Sequence, residues 1–434
     1  MTPLPIPAFS ETSTALCFVL ILLVPLAGTG IALINTGLGR SRSAAHSMMT
    51  SLVVIAIAAL VYFACGFSWQ GFVGRPAHFF TIGHAGWNWI AAEPFFMRGL
   101  ALDGSPASLA VLLQLFTVGL AALIPMGAGA ERWRLGAICA STALLAGWTY
   151  PLFAHWVWGG GWLAQLGSNY GLARGFVDAG GSSTIQVVGG LTALSIAWIL
   201  GPRWGKYSAQ GMPAAIPAHN TIFVVFGCVL GLVGWLGLNS AGALLFFEMG
   251  VERVVLIAVN TVLAAASAGL TAAIITRLRF GKPDASLTAN GWMGGLVASS
   301  AGCVFLKPAV AVIVGSVAGG LVIFTIEWLE FKLKVDDPGG AISVHAVGGI
   351  WGVLAVGLFV QPGENGGQLL AQIVGVATLV GFILPMTYGL NWFLNRFYPQ
   401  RVAVDGERQG MDLHELGAEA YPEFVTHTEE FIQR

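Results

Sequence analysis

Long apolar stretches, separated by short polar ones, form the dominant pattern of this chain. Eleven of them approach the ~20 residues that a helix needs to cross a bilayer. They predict spanning helices at residues 11–35, 46–70, 106–129, 134–157, 182–201, 219–244, 251–276, 286–306, 309–330, 340–361 and 367–397. The pattern is typical of an all-α polytopic membrane protein with eleven transmembrane helices. The long aromatic stretch 71–105 is expected to cover one face of the bundle.

Composition indicates the same class of protein. Of the 434 residues, 56% are hydrophobic and only 9% are charged, and the mean hydropathy is +0.76. Because soluble domains carry roughly 25% charged residues, this chain is predicted to be a multi-pass protein of the cell membrane. Its net charge of -1 gives no reason to expect a nucleic-acid partner.

Lysine and arginine in the connecting loops predict the orientation of the helices, because short cytoplasmic loops carry an excess of these residues. The loops after predicted helices 1, 3, 5, 7 and 9 hold eleven of them, against five in the loops on the other side. The N-terminus is therefore expected outside. Residues 1–398 are predicted to form the membrane domain, and residues 399–434 a polar cytoplasmic tail.

A short pattern occurs twice, at the starts of the fifth and tenth predicted helices. In each copy an Asp precedes a polar residue by eight positions. The polar residue is followed by any one residue and then by Val-Gly-Gly. One copy joins Asp178 to Gln186, and the other joins Asp337 to His345. Because an odd number of spans, five, separates the copies, the second half is expected to be inverted relative to the first. The prediction is two inverted five-helix repeats, about 11–201 and 219–361, plus one extra helix at 367–397, with a site between the repeats.

These residues, together with several other runs, resemble the ammonium transporter family of Amt, Mep and Rh proteins. The likeness covers nearly the whole chain and is carried by His345 and by the runs 127–132, 155–161, 178–183, 219–220, 234–239, 336–338 and 410–421. It implies a homotrimer in the inner membrane of the cell with one pore per subunit. Family members gather ammonium in an outer aromatic vestibule, pass it by two stacked Phe rings, and move it along an apolar channel holding two neighbouring histidines. No cofactor is predicted.

His345 falls on the second histidine of the family pair, and Gln186 falls on the first. An ionisable residue inside a membrane marks a functional site by default, although a His345 bonded to a backbone carbonyl at a helix interface is the alternative. A Gln amide donates and accepts hydrogen bonds but does not titrate, so a proton relay through this pair is not expected. Neutral ammonia passage, leak of whole cations and binding without transport stay open. For Gln186, a polar link between helices is the alternative to a pore-lining role.

Trp158 and Asp178 fall on positions of the outer vestibule. A Trp face attracts a cation, although an interfacial Trp is also an ordinary membrane anchor. Asp178 is expected to add negative potential and to cap the fifth helix through the N–H groups of Gly180 and Gly181. Its repeat partner, Asp337, faces the cytoplasm and is expected to act as a cap alone.

The other vestibule and gate positions depart from the family pattern. The two gate Phe positions hold Thr117 and Leu238, and Phe116 substitutes for the first ring if its helix is slightly rotated. The vestibule serine position holds Gly242, whereas Trp235 is kept. Outer recruitment, gate and proton relay are therefore all expected to be altered.

The tail resembles the family's regulatory C-terminus, which packs under the trimer and meets PII-type signalling proteins. A disordered acidic end is the alternative. The leading hypothesis is a trimeric ammonium channel or transporter with altered pore chemistry. An ammonium receptor that does not transport, and a channel for another small neutral solute, are the competing hypotheses. No Ser-His-Asp, phosphate-loop or metal motif stands out in the sequence, so an enzyme is not predicted.

Overall fold

A computed structural model describes residues 9–359 and 367–421, and its helices lie at all eleven predicted positions. Ten of the helices in the described part are long and apolar enough to cross a membrane. In chain order the eleven are α1 Glu11–Leu38, α2 Ser41–Gln70, α3 Pro106–Gly129, α4 Leu135–Trp158, α5 Ser182–Leu200, α6 Thr221–Phe246, α7 Val251–Phe280, α8 Ala285–Ser300, α9 Pro308–Leu333, α10 Ile342–Phe359 and α11 Gln368–Phe397.

The eighth helix, α8, ends earlier than the apolar pattern predicts. It has 16 residues, whereas the sequence predicted a helix over 286–306. The carbonyls of Ser300 and Ala301 accept the backbone N–H groups of Gly180 and Ala179, at 2.9 and 3.0 Å. Because another segment engages these carbonyls in place of the next helical turn, the helix stops at this point.

The aromatic stretch 71–105 contains two strands, which the all-α prediction missed. Strand β1, Ala77–Ile82, pairs antiparallel with strand β2, Ala85–Ala91. The turn between them uses Gly83 with φ of 61°, a conformation that glycine adopts without steric cost. Aromatic residues favour strands as well as membrane helices, so apolar content alone did not distinguish this hairpin from a capping loop.

Glycines let α1 and α6 approach until their backbones touch. A Cβ atom at Gly30 would lie 2.5 Å from the Gly227 carbonyl oxygen, and one at Gly227 would lie 2.6 Å from the Gly30 oxygen. Both positions therefore require glycine. Small residues at such crossings permit close van der Waals packing where lipid supplies no hydrophobic driving force between helices.

The two copies of the sequence pattern fold alike and pack against each other. Both α5 and α10 open with a six-residue π-helical segment. A Cβ atom at Gly190 would clash with the Ala346 backbone, and one at Gly349 would clash with the Val187 side chain. Gly190 and Gly349 are equivalent positions of the two copies, and so are Val187 and Ala346. The packing is thus reciprocal, as two related halves require.

The described part of the tail folds against helix ends. A short helix, α12 Val404–Gln409, precedes Asp412, whose carboxylate accepts the N–H groups of Ala45 and His46 in the first turns of α2. Glu415 accepts the N–H of Leu135 at the start of α4. Carboxylates at helix N-termini satisfy free N–H groups and interact favourably with the helix dipole. Over residues 399–421 these contacts argue against a disordered end, and residues 422–434 lie outside the described part.

Candidate functional site

The Asp178 carboxylate organises the turn that starts α5. Its Oδ1 accepts Gly181 N–H at 2.9 Å, and its Oδ2 accepts the backbone N–H and hydroxyl groups of Ser183 and Thr184 at 2.6 to 3.0 Å. Asp178 is fully buried, so five hydrogen bonds replace its water. The predicted cap is confirmed for Gly181 and wrong for Gly180, whose N–H donates to a carbonyl of α8 because the turn is pinned there.

Asp337 caps α10 with fewer hydrogen bonds. Its two oxygens accept the N–H groups of Ala341 and Ile342, at 3.0 and 2.7 Å. The residue is partly buried, and burial raises the pKa of its carboxyl to about 6. The two repeat partners therefore share a capping role but differ in how strongly their surroundings stabilise the negative charge.

Gln186 and His345 are in direct contact between α5 and α10. His345 Nδ1 lies 2.7 Å from Gln186 Oε1, and the two residues are 159 positions apart in the chain. Because an amide oxygen only accepts, His345 Nδ1 carries a hydrogen and donates it. In the neutral ring, Nε2 is then left as an acceptor. The structure thus brings together the two polar residues of the repeated pattern, and the partner of His345 Nδ1 is a side chain rather than a backbone carbonyl.

The amide nitrogen of Gln186 has no hydrogen-bond partner among the described residues, although Gln186 is fully buried. A buried donor without a partner costs about 1–3 kcal/mol. A buried donor of this kind is explained when a small polar molecule binds there and supplies the missing hydrogen bond. Gln186 therefore keeps an unused donor beside a histidine whose Nε2 is an acceptor.

Trp158, at the end of α4, is bonded to Asp178 and covered by a second aromatic ring. Its Nε1 donates to the Asp178 carbonyl at 2.8 Å. Phe246, at the end of α6, stacks on it with ring centroids 4.4 Å apart and an interplanar angle of 7°. Trp158 is only 2% exposed. One of the two faces with which an indole attracts a cation is therefore occupied by a side chain.

Three further predicted residues on α6 support the α5 turn or the core. A Cβ atom at Gly242 would collide with the Ala179 carbonyl oxygen, so the serine that the family pattern implies does not fit there. Trp235 is buried, and its Nε1 donates to Ser300 Oγ on α8 at 3.1 Å. Leu238 is buried in the main hydrophobic core.

Thr117 belongs to a group of buried polar side chains between α3 and its neighbours α2 and α4. Its Oγ1 lies 2.7 Å from Tyr150 Oη, and Tyr62 Oη donates to Gln114 Oε1 at 2.6 Å. All four residues are buried. Phe116 is half-buried and packs against the hydrophobic core. The structure thus places hydroxyl and amide groups where the resemblance implied the first gate ring.

Sequence reasoning missed Phe246 and the partners of Thr117. Phe246 follows Gly242 by four positions, a spacing that puts two residues on one face of a helix. The sequence therefore indicated that Phe246 lies beside the vestibule position. Gln114, Tyr62 and Tyr150 are polar groups inside apolar spans, which is itself a signal of function or of paired hydrogen bonds. Their mutual contacts are tertiary and had no signal in the sequence.

On the side of the tail, a charged cluster joins the end of α5 to the start of α10. Arg203, just after α5, donates to the carboxylates of Asp336 and Glu131 at 2.7 to 3.1 Å. Arg132 donates to the backbone carbonyl of Asp336 at 2.9 Å. Burial by itself would raise the pKa of Asp336, but the charges of Arg203 and Arg132 hold this pKa at about 2. Since Asp336 precedes the cap of α10, the cluster fixes the start of that helix.

A cavity of about 380 Å³ opens beside this cluster. Lys206 and Glu330 in its wall form an ion pair at 2.5 Å. The charged residues of the wall are Arg203, Lys206, Asp284, Glu330, Asp336 and Asp337. The described ranges contain no group of three or more His, Cys, Asp or Glu side chains suited to a metal ion. The cavity is therefore an opening with charged walls at the start of α10.

Comparison with known proteins agrees with this architecture. The model of the Ammonium Transporter Family matches residues 15–421. The Ammonium transporter Amt2 of Archaeoglobus fulgidus is 35% identical, over 94% of this chain and 88% of the relative. The Ammonium transporter of Bacillus subtilis is 31% identical, over 94% of this chain and 98% of the relative.

Solved structures give the same result. A structure described as a Sensor Amt Protein is 30% identical, with a TM-score of 0.83 over 93% of this chain and 98% of that one. Candida albicans Mep2, at 23% identity, supports the fold, with a TM-score of 0.78 over 92% of this chain and 87% of that one. The family match over nearly the whole chain, and relatives above 30% identity over most of it, establish that the chain belongs to the ammonium transporter family.

Proposed function

We propose that this chain is a membrane transporter that binds ammonium on its outer side and passes ammonia through each subunit as a neutral molecule. The contact between Gln186 and His345 carries the proposal. The two side chains meet at 2.7 Å between α5 and α10, and both are buried. Only His345 is able to bind a proton, since an amide does not titrate in water. We assign both residues to the lining of the pore.

The hydrogen-bonding polarity of this pair favours a neutral solute. The free N–H groups of Gln186 donate, and Nε2 of His345 accepts. Ammonia has one lone pair and three N–H groups, so it satisfies both residues at once. Ammonium has no lone pair, so its N–H groups would face amide N–H groups of the same polarity. Burying an unpaired cation in an apolar site is also costly.

The proton released from ammonium has no relay through this pair. The hydrogen on His345 Nδ1 is engaged by Gln186 Oε1, and Gln186 has no site that takes up a proton at ordinary pH. Ammonium therefore loses its proton to water on the outer side, ammonia crosses, and ammonia takes a proton from water inside. No net charge crosses in this cycle, and the inner compartment becomes more alkaline.

On the outer side, we propose that Trp158 and Asp178 form the ammonium vestibule. The indole of Trp158 is bonded to the backbone carbonyl of Asp178, whose buried carboxylate provides a fixed negative charge, and such a charge raises the local concentration of cations. Phe116, Thr117 and Gly242 complete the proposed vestibule wall. The proposed gate region consists of Phe116, Thr117, Leu238 and Trp235.

The proposed assembly is a homotrimer in the cell membrane, with the N-terminus outside and the tail in the cytoplasm. Residues 1–398 form its membrane domain, built from the two inverted repeats and α11. The tail contacts of Asp412 and Glu415 with the starts of α2 and α4 support a regulatory role, as does the cavity beside Asp336. A PII-type protein is the proposed partner at this surface.

The test uses purified protein in liposomes that contain a pH dye. An ammonium jump is followed by stopped-flow fluorescence and, in parallel, as current on a solid-supported membrane, with potassium as the control cation. The matched variant is Gln186→His, which restores a titratable ring at one position. We expect wild-type protein to speed alkalinisation relative to empty liposomes without ammonium current, and Gln186→His to gain current.

Other outcomes would replace the neutral cycle. Ammonium-specific current in the wild type would mean that a charge crosses despite Gln186. Equal currents with ammonium and potassium would indicate a leaky cation pore. Alkalinisation no faster than in empty liposomes would refute transport.

A receptor that binds ammonium without moving it is the second candidate function. It is favoured by the direct contact of the tail with the charged cluster, where the Val402 N–H donates to the Arg132 carbonyl at 3.0 Å. In that case ammonium changes the hydrogen–deuterium exchange of residues 399–421, while neither wild type nor Gln186→His moves ammonia. A transporter without receptor function shows the flux and leaves that exchange unchanged.

A further inference from the structure

The β1–β2 hairpin is uncharged yet exposes large apolar side chains. Residues 76–92 contain no Asp, Glu, Lys or Arg. Phe79 is 62% exposed and Ile82 is 55% exposed, and Phe80 and Trp89 are exposed as well. The hairpin lies outside the helices that cross the membrane, so the bilayer core does not account for this surface. A cluster of exposed apolar side chains of this kind marks a contact surface.

One strand of the hairpin is fixed to the helix bundle. Asn88 N–H donates to Gln165 Oε1, and Asn88 Oδ1 lies 2.8 Å from His155 Nε2. Trp156 Nε1 donates to the Trp89 carbonyl at 2.8 Å. These contacts all involve β2. Strand β1 is left as a free edge, and its side chains are exposed from residue 78 to residue 82. The apolar surface is therefore held in one orientation.

An aromatic row connects the hairpin to the outer surface of the spanning helices. The Trp89 ring lies 5.8 Å from Phe80 and 4.9 Å from Trp156, and Trp156 lies 5.4 Å from Phe382. Phe382 is 41% exposed in the middle of α11, a helix long and apolar enough to cross the membrane. Through the buried Trp156 ring, the hairpin is thus packed beside an exposed face of a spanning helix.

We propose that the hairpin is an interfacial anchor that inserts β1 into the lipid leaflet on the N-terminal side of the membrane. The hairpin follows α2 and so lies on the same side as the N-terminus. Aromatic side chains favour the boundary between headgroups and acyl chains. The free N–H and C=O groups of an edge strand need water or headgroups as partners. Strand β1 therefore lies at the headgroup boundary, roughly 5–10 Å deep, and not in the hydrocarbon core.

The charges that flank the hairpin are paired with each other. Arg75 Nη2 donates to Glu93 Oε2 at 2.9 Å, and Glu93 is buried. The hairpin thus presents no free lysine or arginine to an anionic headgroup, and its titratable side chains are the exposed His78 and His84. Anchoring rests on buried aromatic and aliphatic surface, so it does not depend on the charge of the lipid.

The experiment places nitroxide spin labels on the full chain in liposomes. Cys65 and Cys139, the two half-buried native cysteines, are first replaced by Ala. Labels are then attached at Phe79→Cys and Ile82→Cys on β1. Phe382→Cys serves as the lipid control, and Met212→Cys, 59% exposed in the loop between α5 and α6, serves as the water control. Collision rates with oxygen, which partitions into lipid, and with a water-soluble nickel complex are measured by power saturation.

The anchor predicts oxygen-to-nickel collision ratios on β1 between those of the two controls. The ratios are expected to be the same in phosphatidylcholine and in its mixture with phosphatidylglycerol. Ratios equal to that of Met212→Cys would place the hairpin in water and overturn the proposal. Low collision rates with both reagents would mean that protein covers β1, such as a second copy of the chain, and would overturn it as well.

Discussion

Asp178 and Asp337 occupy equivalent places in the repeated pattern, yet the same substitution is expected to affect them unequally. Asp178 accepts five hydrogen bonds while fully buried, three of them from backbone N–H groups. Asp337 accepts two, both from the backbone. Replacement of either residue by Asn keeps the side-chain size, removes the charge and turns one acceptor into a donor. The pair therefore provides its own matched control.

The magnitude follows from counting bonds. In Asp178→Asn, the remaining oxygen retains at best the four bonds made to Oδ2. The Gly181 N–H then faces an amide N–H, which costs about 1–3 kcal/mol for a buried unpaired donor. The four retained bonds lose their charge assistance, which is worth roughly half the strength of such bonds. The expected loss of unfolding free energy is about 5 kcal/mol, a large part of the stability of an ordinary domain.

Asp337→Asn loses one bond and weakens one. Because burial raises the pKa of Asp337 to about 6, the charge itself is unfavourable there, and its removal offsets part of the loss. The expected cost is about 1 kcal/mol. The asymmetry between the two variants therefore depends on the five bonds of Asp178.

The assay is unfolding of the purified protein in mixed micelles by increasing fractions of SDS, followed by circular dichroism. Asp178→Asn is expected to unfold at a clearly lower SDS fraction than wild type, and Asp337→Asn close to wild type. Equal losses in the two variants, or a larger loss for Asp337→Asn, would refute the reasoning. Ammonium binding measured on folded Asp178→Asn then reports the electrostatic contribution of Asp178 separately.

Three further outcomes are expected. Phe246→Ala uncovers a face of Trp158, and a cation over an exposed ring gains about 0.5–1 kcal/mol. The ammonium concentration that half-saturates transport is therefore expected to fall roughly 2- to 5-fold. Phe246→Leu keeps the face covered and is expected to leave this concentration unchanged. The Arg203 charge holds the pKa of Asp336 at about 2, below its usual value of 3.8. The stability from this pair is therefore fully present above about pH 4 and lost as the pH falls towards 2. Thermal midpoints at pH 5, 4 and 3 should fall in the wild type and fall less in Asp336→Asn. Glu407 is buried and accepts a backbone N–H from the α5–α6 loop, so Glu407→Gln should speed hydrogen exchange over residues 399–421 without changing the helix content.

The helices could be predicted because each one is long, apolar and flanked by polar residues. The predicted end of a helix was wrong where a tertiary contact ended that helix. The carbonyls at the end of α8 accept the backbone N–H groups of Gly180 and Ala179. The local sequence of residues 301–306 does not predict that contact. The hairpin was missed for a related reason, since an aromatic stretch without charges is compatible with strand, helix or loop.

The candidate site likewise has features that the sequence pattern predicts and features that depend on tertiary contacts. A shared site for Gln186 and His345 could be predicted because a repeated pattern places equivalent residues around one axis, whereas their direct contact could not. The covering of Trp158 by Phe246 could not be predicted, because it depends on where two helix ends meet. Similarly, Thr117 was recognised as a departure from an aromatic gate, but its bond to Tyr150 is set by the packing of α3 against α4.

The departure at Gly242 on α6 is coupled to the start of α5, so a single substitution there does not restore the serine of the family pattern. Serine at Gly242 would place a Cβ atom against the Ala179 carbonyl oxygen, so it displaces the turn that Asp178 holds with five hydrogen bonds. Phe246 lies one helical turn further on and covers Trp158, which is itself bonded to the Asp178 carbonyl. Gly242, Phe246 and Trp158 are therefore all coupled to the turn that Asp178 holds. Gln186 contacts a different partner, His345 on α10. Gln186→His is therefore expected to alter the proton chemistry without disturbing the outer turn. A change in current in that variant then reports on Gln186 and His345 alone.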